Sequence, residues 1–288
     1  MNRRHFIISG AALAVTGGIA GFAALTTGGG VATAAAPPLA PSRFSVEVVG
    51  SGPDVILIPG LTLGREVWAE TVTAVPGYRY HLIHVAGFAG APARGNRSGA
   101  VVSPLADEIA RYIERARLRR PAIIGHSMGG TLAMMIGARH PGLLGKIMVV
   151  DMLPEPAGLV GGSAAGAGAL ANSLLSGAGG RRLVGSLMTA FSPPDSGARR
   201  SDPDVVARAT NELVVIDLTN ELPRIRAPMT VAYASPDRRA AAALDRVFAR
   251  AYAGARNARL VRIDDSGHMV MFDQPARLAR AIRAFLRG

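Results

Sequence analysis

Beyond Pro41 the chain alternates short aliphatic and β-branched runs with longer amphipathic stretches, and this pattern restricts its fold more than any other feature. The runs predict strands over residues 43–49, 54–58, 80–85, 121–125, 146–150, 229–234 and 259–263. Several of them (Ile56-Leu57-Ile58 within the second, Ala122-Ile123-Ile124 and Ile147-Met148-Val149-Val150) lack the in-out alternation of a strand with one wet face. Such strands belong in a sheet covered on both sides, as parallel sheets are. The intervening stretches supply the cover. In 105–118, Leu105, Ile109, Tyr112, Ile113 and Ala116 recur at helical spacing, so one stripe faces the sheet while Arg and Glu face water. Near the C-terminus Pro275 suits a first helical position, and Leu278, Ile282, Phe285 and Leu286 form a second stripe opposite arginines. The stretch 131–139 is apolar nearly all round, as a central buried helix is, and Pro141-Gly142 stops it. The expected class is α/β, with a mostly parallel central sheet flanked by helices.

Two segments break the alternation. Residues 1–36 read as an export signal: Arg3 and Arg4, an apolar Gly- and Ala-rich run from Phe6 to Leu25, then small residues up to Pro37-Pro38, with no acidic residue before Glu47. Ala32-Thr33-Ala34 and Ala34-Ala35-Ala36 both fit a small-x-small cleavage site; an uncleaved membrane anchor is the rival reading, since the run approaches the roughly 20 residues that span a bilayer. The order Asn2-Arg3-Arg4-His5-Phe6-Ile7 resembles a twin-arginine signal, which implies the export machinery as a partner and an exported, periplasmic or secreted protein. Residues 154–222, with Gly161-Gly162-Ser163-Ala164-Ala165-Gly166, read as an inserted lid, either a flexible cover or a loosely packed helical insertion. The core is then 42–153 together with 223–288.

Composition excludes several function classes. The 288 residues include no Cys, which removes disulfides, thiolate metal sites and a Cys nucleophile together. Lys+Arg 32 against Asp+Glu 20 gives a net charge of +12, and Lys146 is the one lysine, the rest being arginine. The arginines are scattered without aromatic interleaving or a nucleic-acid module, so no nucleic-acid partner is expected. A positive surface would draw the chain towards anionic lipid or acidic substrates, and the expected peripheral membrane contact rests on that attraction.

The chemistry is concentrated in Gly125-His126-Ser127-Met128-Gly129, between an apolar strand and a buried helix. This is the context of a G-x-S-x-G nucleophile elbow, in which a serine on a tight strand-to-helix turn projects above the sheet. Small flanking residues are needed because the turn is strained. A serine hydroxyl needs a base, usually a histidine oriented by a carboxylate. Of six histidines, His5 lies in the signal, His126 in the elbow, His81 and His84 in or beside a strand, and His140 at a helix end. That leaves His268, in Asp264-Asp265-Ser266-Gly267-His268 after the last strand. Asp237, in a turn after the sixth predicted strand, is the expected acid; Asp151, at the end of the fifth, is the alternative, and the rival account of Asp237 is turn or cap chemistry. The backbone N–H of Met128 is one oxyanion donor by position, and Leu61, after Pro59-Gly60, is the expected second. Trp68 reads as a core residue rather than a pocket wall.

Over 42–288 these residues resemble an α/β-hydrolase fold with a helical lid inserted after the sixth core strand. The resemblance is carried by Leu57-Ile58-Pro59-Gly60, Gly125-His126-Ser127-Met128-Gly129-Gly130, Asp237 and Ser266-Gly267-His268, with 223–231 similar to the lead into the acid-bearing strand. Pro59-Gly60 replaces the His-Gly often found there, and Val85-Ala86-Gly87-Phe88-Ala89-Gly90 replaces an Asp-x-x-G-x-G loop. The resemblance implies a serine hydrolase acting on carboxylic esters through an acyl-enzyme, with no cofactor and no metal, on a small apolar ester or acyl substrate. Epoxide hydrolases and haloalkane dehalogenases of this fold use an Asp nucleophile, and Ser127 counts against both. Cofactor-free perhydrolase or haloperoxidase-like activity, C–C bond hydrolysis and a non-catalytic ligand-binding member are the alternatives on the same scaffold.

Overall fold

The computed structural model describes residues 40–157 and 197–288. The expected export signal over 1–36, with its cleavage site and the rival anchor, lies outside the described residues, as does 158–196 of the expected lid. Seven strands form one sheet: β1 (Phe44–Gly50), β2 (Asp54–Ile58), β3 (Arg79–Val85), β4 (Ala122–His126), β5 (Lys146–Val150), β6 (Met229–Ser235) and β7 (Ala258–Asp264). Their lateral order is β1-β3-β2-β4-β5-β6-β7. Only β1 runs antiparallel, pairing with β3 from Phe44 opposite Val85 to Gly50 opposite Arg79. The other pairs are parallel. The α-helices among the described residues are α1 (Ala69–Ala74), α2 (Val102–Arg115), α3 (Met128–Arg139), α4 (Pro203–Val215), α5 (Arg238–Ala251), α6 (Val270–Asp273) and α7 (Pro275–Arg287). None of the described helices is long and apolar enough to cross a membrane.

Strand side chains alternate between faces, and here both faces meet apolar cover. Ile56, Ile58, Ile123, Ile147 and Val149 point into one core with Leu105, Ile109 and Ile113 of α2, Leu132 and Ile136 of α3, and Phe248 of α5. Val55, Leu57, Ile124, Met148 and Val150 point into the other with Leu278, Ile282 and Phe285 of α7. Trp68 is fully buried in this second core, as expected. Helix α3 is buried on nearly every residue, because it is enclosed by the sheet on one side and by α2 and neighbouring segments on the other. The single lysine closes the last helix: Lys146 Nζ donates to the carbonyls of Phe285 and Leu286 at 3.3 and 3.2 Å, placing a cation where the helix dipole is negative.

The expected lid lies between β5 and β6, so among the described residues it follows the fifth strand and not a sixth; one antiparallel strand, β1, precedes β2. Its C-terminal part is fastened to the core. Asp202 caps α4, its Oδ1 accepting from the amides of Asp204 and Val205 at 3.0 and 3.1 Å, and Pro203 takes the first helical position. Further along α4, Arg208 donates to the carbonyls of Gly99 and Asn96, both at 2.7 Å. The Glu212 carboxylate accepts from the amides of Val101, Val102 and Ser103 at the start of α2. Three amides that a helix terminus leaves unpaired are thus satisfied by one carboxylate from a distant segment.

Glu212→Ala is expected to destabilise the protein by about 1–2 kcal/mol, which for a chain of this size lowers Tm by roughly 2–8 °C. Thermal unfolding followed by circular dichroism checks this, and an unchanged Tm would show that water caps α2 equally well.

Candidate active site

The strand-to-helix turn around Ser127 has the geometry that the spacing predicts. β4 ends at His126, α3 starts at Met128, and Ser127 between them has φ 53° and ψ −123°. That conformation is costly for a residue with a side chain and persists only where its surroundings enforce it. Enforcement comes from both sides. The Ser127 amide donates to Val150 O on β5 at 3.0 Å, while Ser127 O accepts from the amides of Gly130 and Thr131 at 2.8 and 3.2 Å. A Cβ at Gly125 would overlap Gly129 O, and one at Gly129 would overlap Ile58 O, so the turn closes only with glycine at both places. Ser127 is partly exposed, whereas Met128 beneath it is fully buried at the start of α3, where helix amides lack internal partners. The loop carrying Leu61 packs against this turn: a Cβ at Gly60 would lie 3.0 Å from Ser127 Cβ.

His268 meets Asp151, not the expected Asp237. His268 Nδ1 lies 2.7 Å from Asp151 Oδ2. The other carboxylate oxygen, Oδ1, accepts from the Ala234 amide at 2.9 Å, and the Asp151 amide donates to Ala232 O at 2.7 Å. The Asp151 side chain is 10% exposed and that of His268 30%, so the pair runs from the interior towards solvent. With a carboxylate at Nδ1, the neutral imidazole carries its proton there and presents the Nε2 lone pair.

Sheet order explains the correction. β5 is the neighbour of β4, and His126 pairs with Val150, so Ser127 and Asp151 are the next residues on two adjoining strands. Asp151 also has positive φ, 50°, as Ser127 does. Asp237 follows β6, which is two strands from β4, about twice the strand spacing of roughly 4.8 Å. Its carboxylate instead accepts from the Arg239 amide at 2.7 Å, at the start of α5, and its carbonyl accepts from Ser235 Oγ at 3.0 Å. Asp237 thus makes turn and cap bonds at the start of α5. The signal for Asp151 was its place one residue beyond the apolar strand that follows the elbow.

The loop holding His268 is itself tied down. Asp265 has φ 58°, the Ser266 amide donates to Ser235 O at 3.1 Å, and the Gly267 amide donates to Asp273 Oδ2 at 2.8 Å. The other histidines serve elsewhere. His81 is buried between Tyr112 Oη at 2.6 Å and Asp54 Oδ1 at 2.9 Å, and Arg79 beside it, with His81 adding to the effect, holds the Asp54 carboxyl below its ordinary range. His84 lies 3.0 Å from Phe88 O, and His140 ends α3.

His126 is the residue whose part in this site was not read from sequence. It is 1% exposed, its Nε2 lies 2.9 Å from His268 O, and the two rings sit 4.8 Å apart. Because a carbonyl only accepts, Nε2 carries the proton and donates. Burial, reinforced by the nearby His268, pushes the His126 pKa down to about 3, so the ring is neutral near pH 7. No cluster of three or more potential metal ligands occurs among the described residues.

A family model described as the alpha/beta hydrolase family matches residues 55–281. The chain belongs to that family. A pimeloyl-[acyl-carrier protein] methyl ester esterase of Aeromonas hydrophila is 33% identical over 112 residues, which is 38% of this chain and 42% of that protein. The chain thus spans about two fifths of the length of the first curated relatives it matches. Among solved structures, an enol-lactonase from Burkholderia xenovorans LB400 superposes with a TM-score of 0.66 at 19% identity, covering 85% of this chain and 96% of that one. A thermophilic esterase from Thermogutta terrifontis gives 0.65 at 20%, covering 85% and 93%. At these identities the superpositions establish the shared fold.

A histidine whose folded pKa is depressed stabilises the protein above its unfolded pKa, and that stability is lost as pH falls. Between the unfolded value of about 6.5 and the folded value of about 3, the unfolded chain binds the extra proton. Unfolding free energy measured in urea should therefore fall from pH 6 to pH 4, and His126→Gln should flatten that slope by about one proton per molecule. Parallel slopes for the two proteins would mean that His126 is not the titrating group.

Proposed function

We propose that this protein is a serine hydrolase that cleaves carboxylic esters through an acyl-enzyme, with Ser127 as nucleophile, His268 as general base and acid, and Asp151 as the orienting carboxylate. The observation that carries the reading is the 2.7 Å contact between His268 Nδ1 and Asp151, on the strand end beside the elbow serine. The relationship to proteins named as esterases supports the ester as substrate.

In this mechanism Ser127 Oγ attacks the ester carbonyl carbon while His268 Nε2 takes the hydroxyl proton. Asp151 stabilises the resulting imidazolium through Nδ1–H, as a carboxylate does without itself becoming protonated. The carbonyl oxygen becomes an oxyanion and accepts from the backbone N–H of Met128 and of Leu61, aided by the positive end of α3. Collapse expels the alcohol, which receives the proton from His268 and leaves Ser127 acylated. Water then attacks the acyl carbon as His268 takes its proton; the second oxyanion collapses, Ser127 is reprotonated and the acid departs. The chain's own residues supply every proton transfer.

The substrate is a small ester with an apolar acyl group, in keeping with the Gly- and Ala-rich composition of 154–222. Export guided by Arg3-Arg4 completes the proposal and places the enzyme outside the cytoplasm. Replacing both arginines with lysine should retain the protein in the cytoplasmic fraction of expressing cells, and undiminished export would remove the twin-arginine reading.

On p-nitrophenyl esters of graded acyl length, Ser127→Ala and His268→Ala should each lower kcat by about 10³–10⁶-fold, since the three groups act as a unit. Asp151→Asn should lower it by about 10³–10⁴-fold. Asp237→Asn should leave turnover near that of the native enzyme, because Asn also caps helices. A fluorophosphonate probe should label the native protein and not Ser127→Ala. Full turnover in His268→Ala, or a larger loss in Asp237→Asn than in Asp151→Asn, would overturn the assignment.

A further inference from the structure

We infer that His126, the residue before the nucleophile, is a positioning residue that holds the catalytic base by its main chain; this rests on the serine-hydrolase reading above. His268 is anchored at two points. Its side chain is held by Asp151 through Nδ1 at 2.7 Å, and its carbonyl accepts from His126 Nε2–H at 2.9 Å. The second anchor joins the base to the nucleophile by the shortest path the chain offers, because His126 and Ser127 share a peptide bond. The hydrogen bond ties a loop after β7 to the end of β4, although β5 and β6 separate those strands in the sheet.

The imidazole of His126 has little room to turn. A Cβ at Gly60 would lie 2.9 Å from its Nδ1, and the His268 ring stands 4.8 Å away at 45°. Nδ1 is buried with no hydrogen-bond partner among the described residues, consistent with a ring retained for the bond made by its other nitrogen. The titratable groups facing it are His268 and Asp151. Burial keeps the ring neutral, with its one proton on the nitrogen that donates to His268 O. A protonated His126 would repel the imidazolium that His268 becomes during acylation; the neutral ring does not.

Three variants test this with Ser127→Ala as reference. His126→Phe keeps a ring and removes the donor. His126→Gln can place an amide N–H where Nε2 was, while His126→Asn places it near the Nδ1 position. Active sites are counted by burst titration, and kcat per titrated site, KM and fluorophosphonate labelling rate are measured. His126→Phe should lose about 10–100-fold in kcat and in labelling rate with little change in KM, the scale of a misplaced catalytic group. His126→Gln should recover most of that loss and His126→Asn should not, a distinction that packing alone would not produce. Unimpaired kcat in His126→Phe, or equal impairment in the Gln and Asn variants, overturns the inference while leaving the hydrolase reading intact if Ser127→Ala is inactive. If the Phe variant does not fold, the Gln and Asn pair decides alone. Full activity in Ser127→Ala overturns both.

Discussion

Two parallel strands that stop at the same level determine the rest of this site. β4 and β5 pair in register up to His126 and Val150, and the next residue on each, Ser127 and Asp151, turns out of the sheet with positive φ. One hydrogen bond, from the Ser127 amide to Val150 O, joins the two ends. With the bonds that Ser127 O accepts from α3, it helps hold the serine in a conformation that L-residues avoid. The apolar character of both strands follows from the same demand: a strand that delivers a side chain to a fixed point must be held from both faces, and here each is packed between helices.

His268, the proposed base, is positioned by different means. It comes from a loop, and loops are precise only where their backbone is restrained. Restraint is spread over several bonds: Ser266 to the end of β6, Gly267 to Asp273, Gln274 to Asp265 O at 2.9 Å, and Arg277 to Asp264 O at 2.7 Å. Asp151 and His126 then act on His268 itself, one on the ring and one on the carbonyl. A buried histidine is a fitting donor here, since its depressed pKa keeps it uncharged beside the group that becomes charged in the proposed mechanism.

The arginine excess has a similarly local meaning. Many of the arginines close gaps in the backbone or pair with carboxylates: Arg208 on the carbonyls before α2, Arg283 on Ala74 O at 2.6 Å, Arg139 with Asp107 at 2.8 Å, and Arg262 with both Asp245 and Asp264 at 2.6 Å. The planar guanidinium can reach two acceptors at once, which a lysine cannot do in a fixed geometry. Surface pairs of this kind contribute little stability singly, and their value lies in fixing loop and helix ends.

Hydrophobic periodicity determined the class of fold, the seven strands, the buried α3 and the stripes of α2 and α7, because burial must repeat with the geometry of each element. Local spacing also determined the elbow, since two glycines around a serine between a strand and a helix leave the backbone few alternatives. Chain order narrowed the base to His268. What the sequence could not supply was lateral order. Asp151 and Asp237 both follow apolar strands, and nothing in either segment states which strand lies beside β4; that depends on how the whole sheet is wound. The same holds for His126, whose partner is a carbonyl 142 residues away. Elements were written locally, whereas the partners of His268, Asp151 at its ring and His126 at its carbonyl, were chosen by which chain ends the tertiary structure brought together.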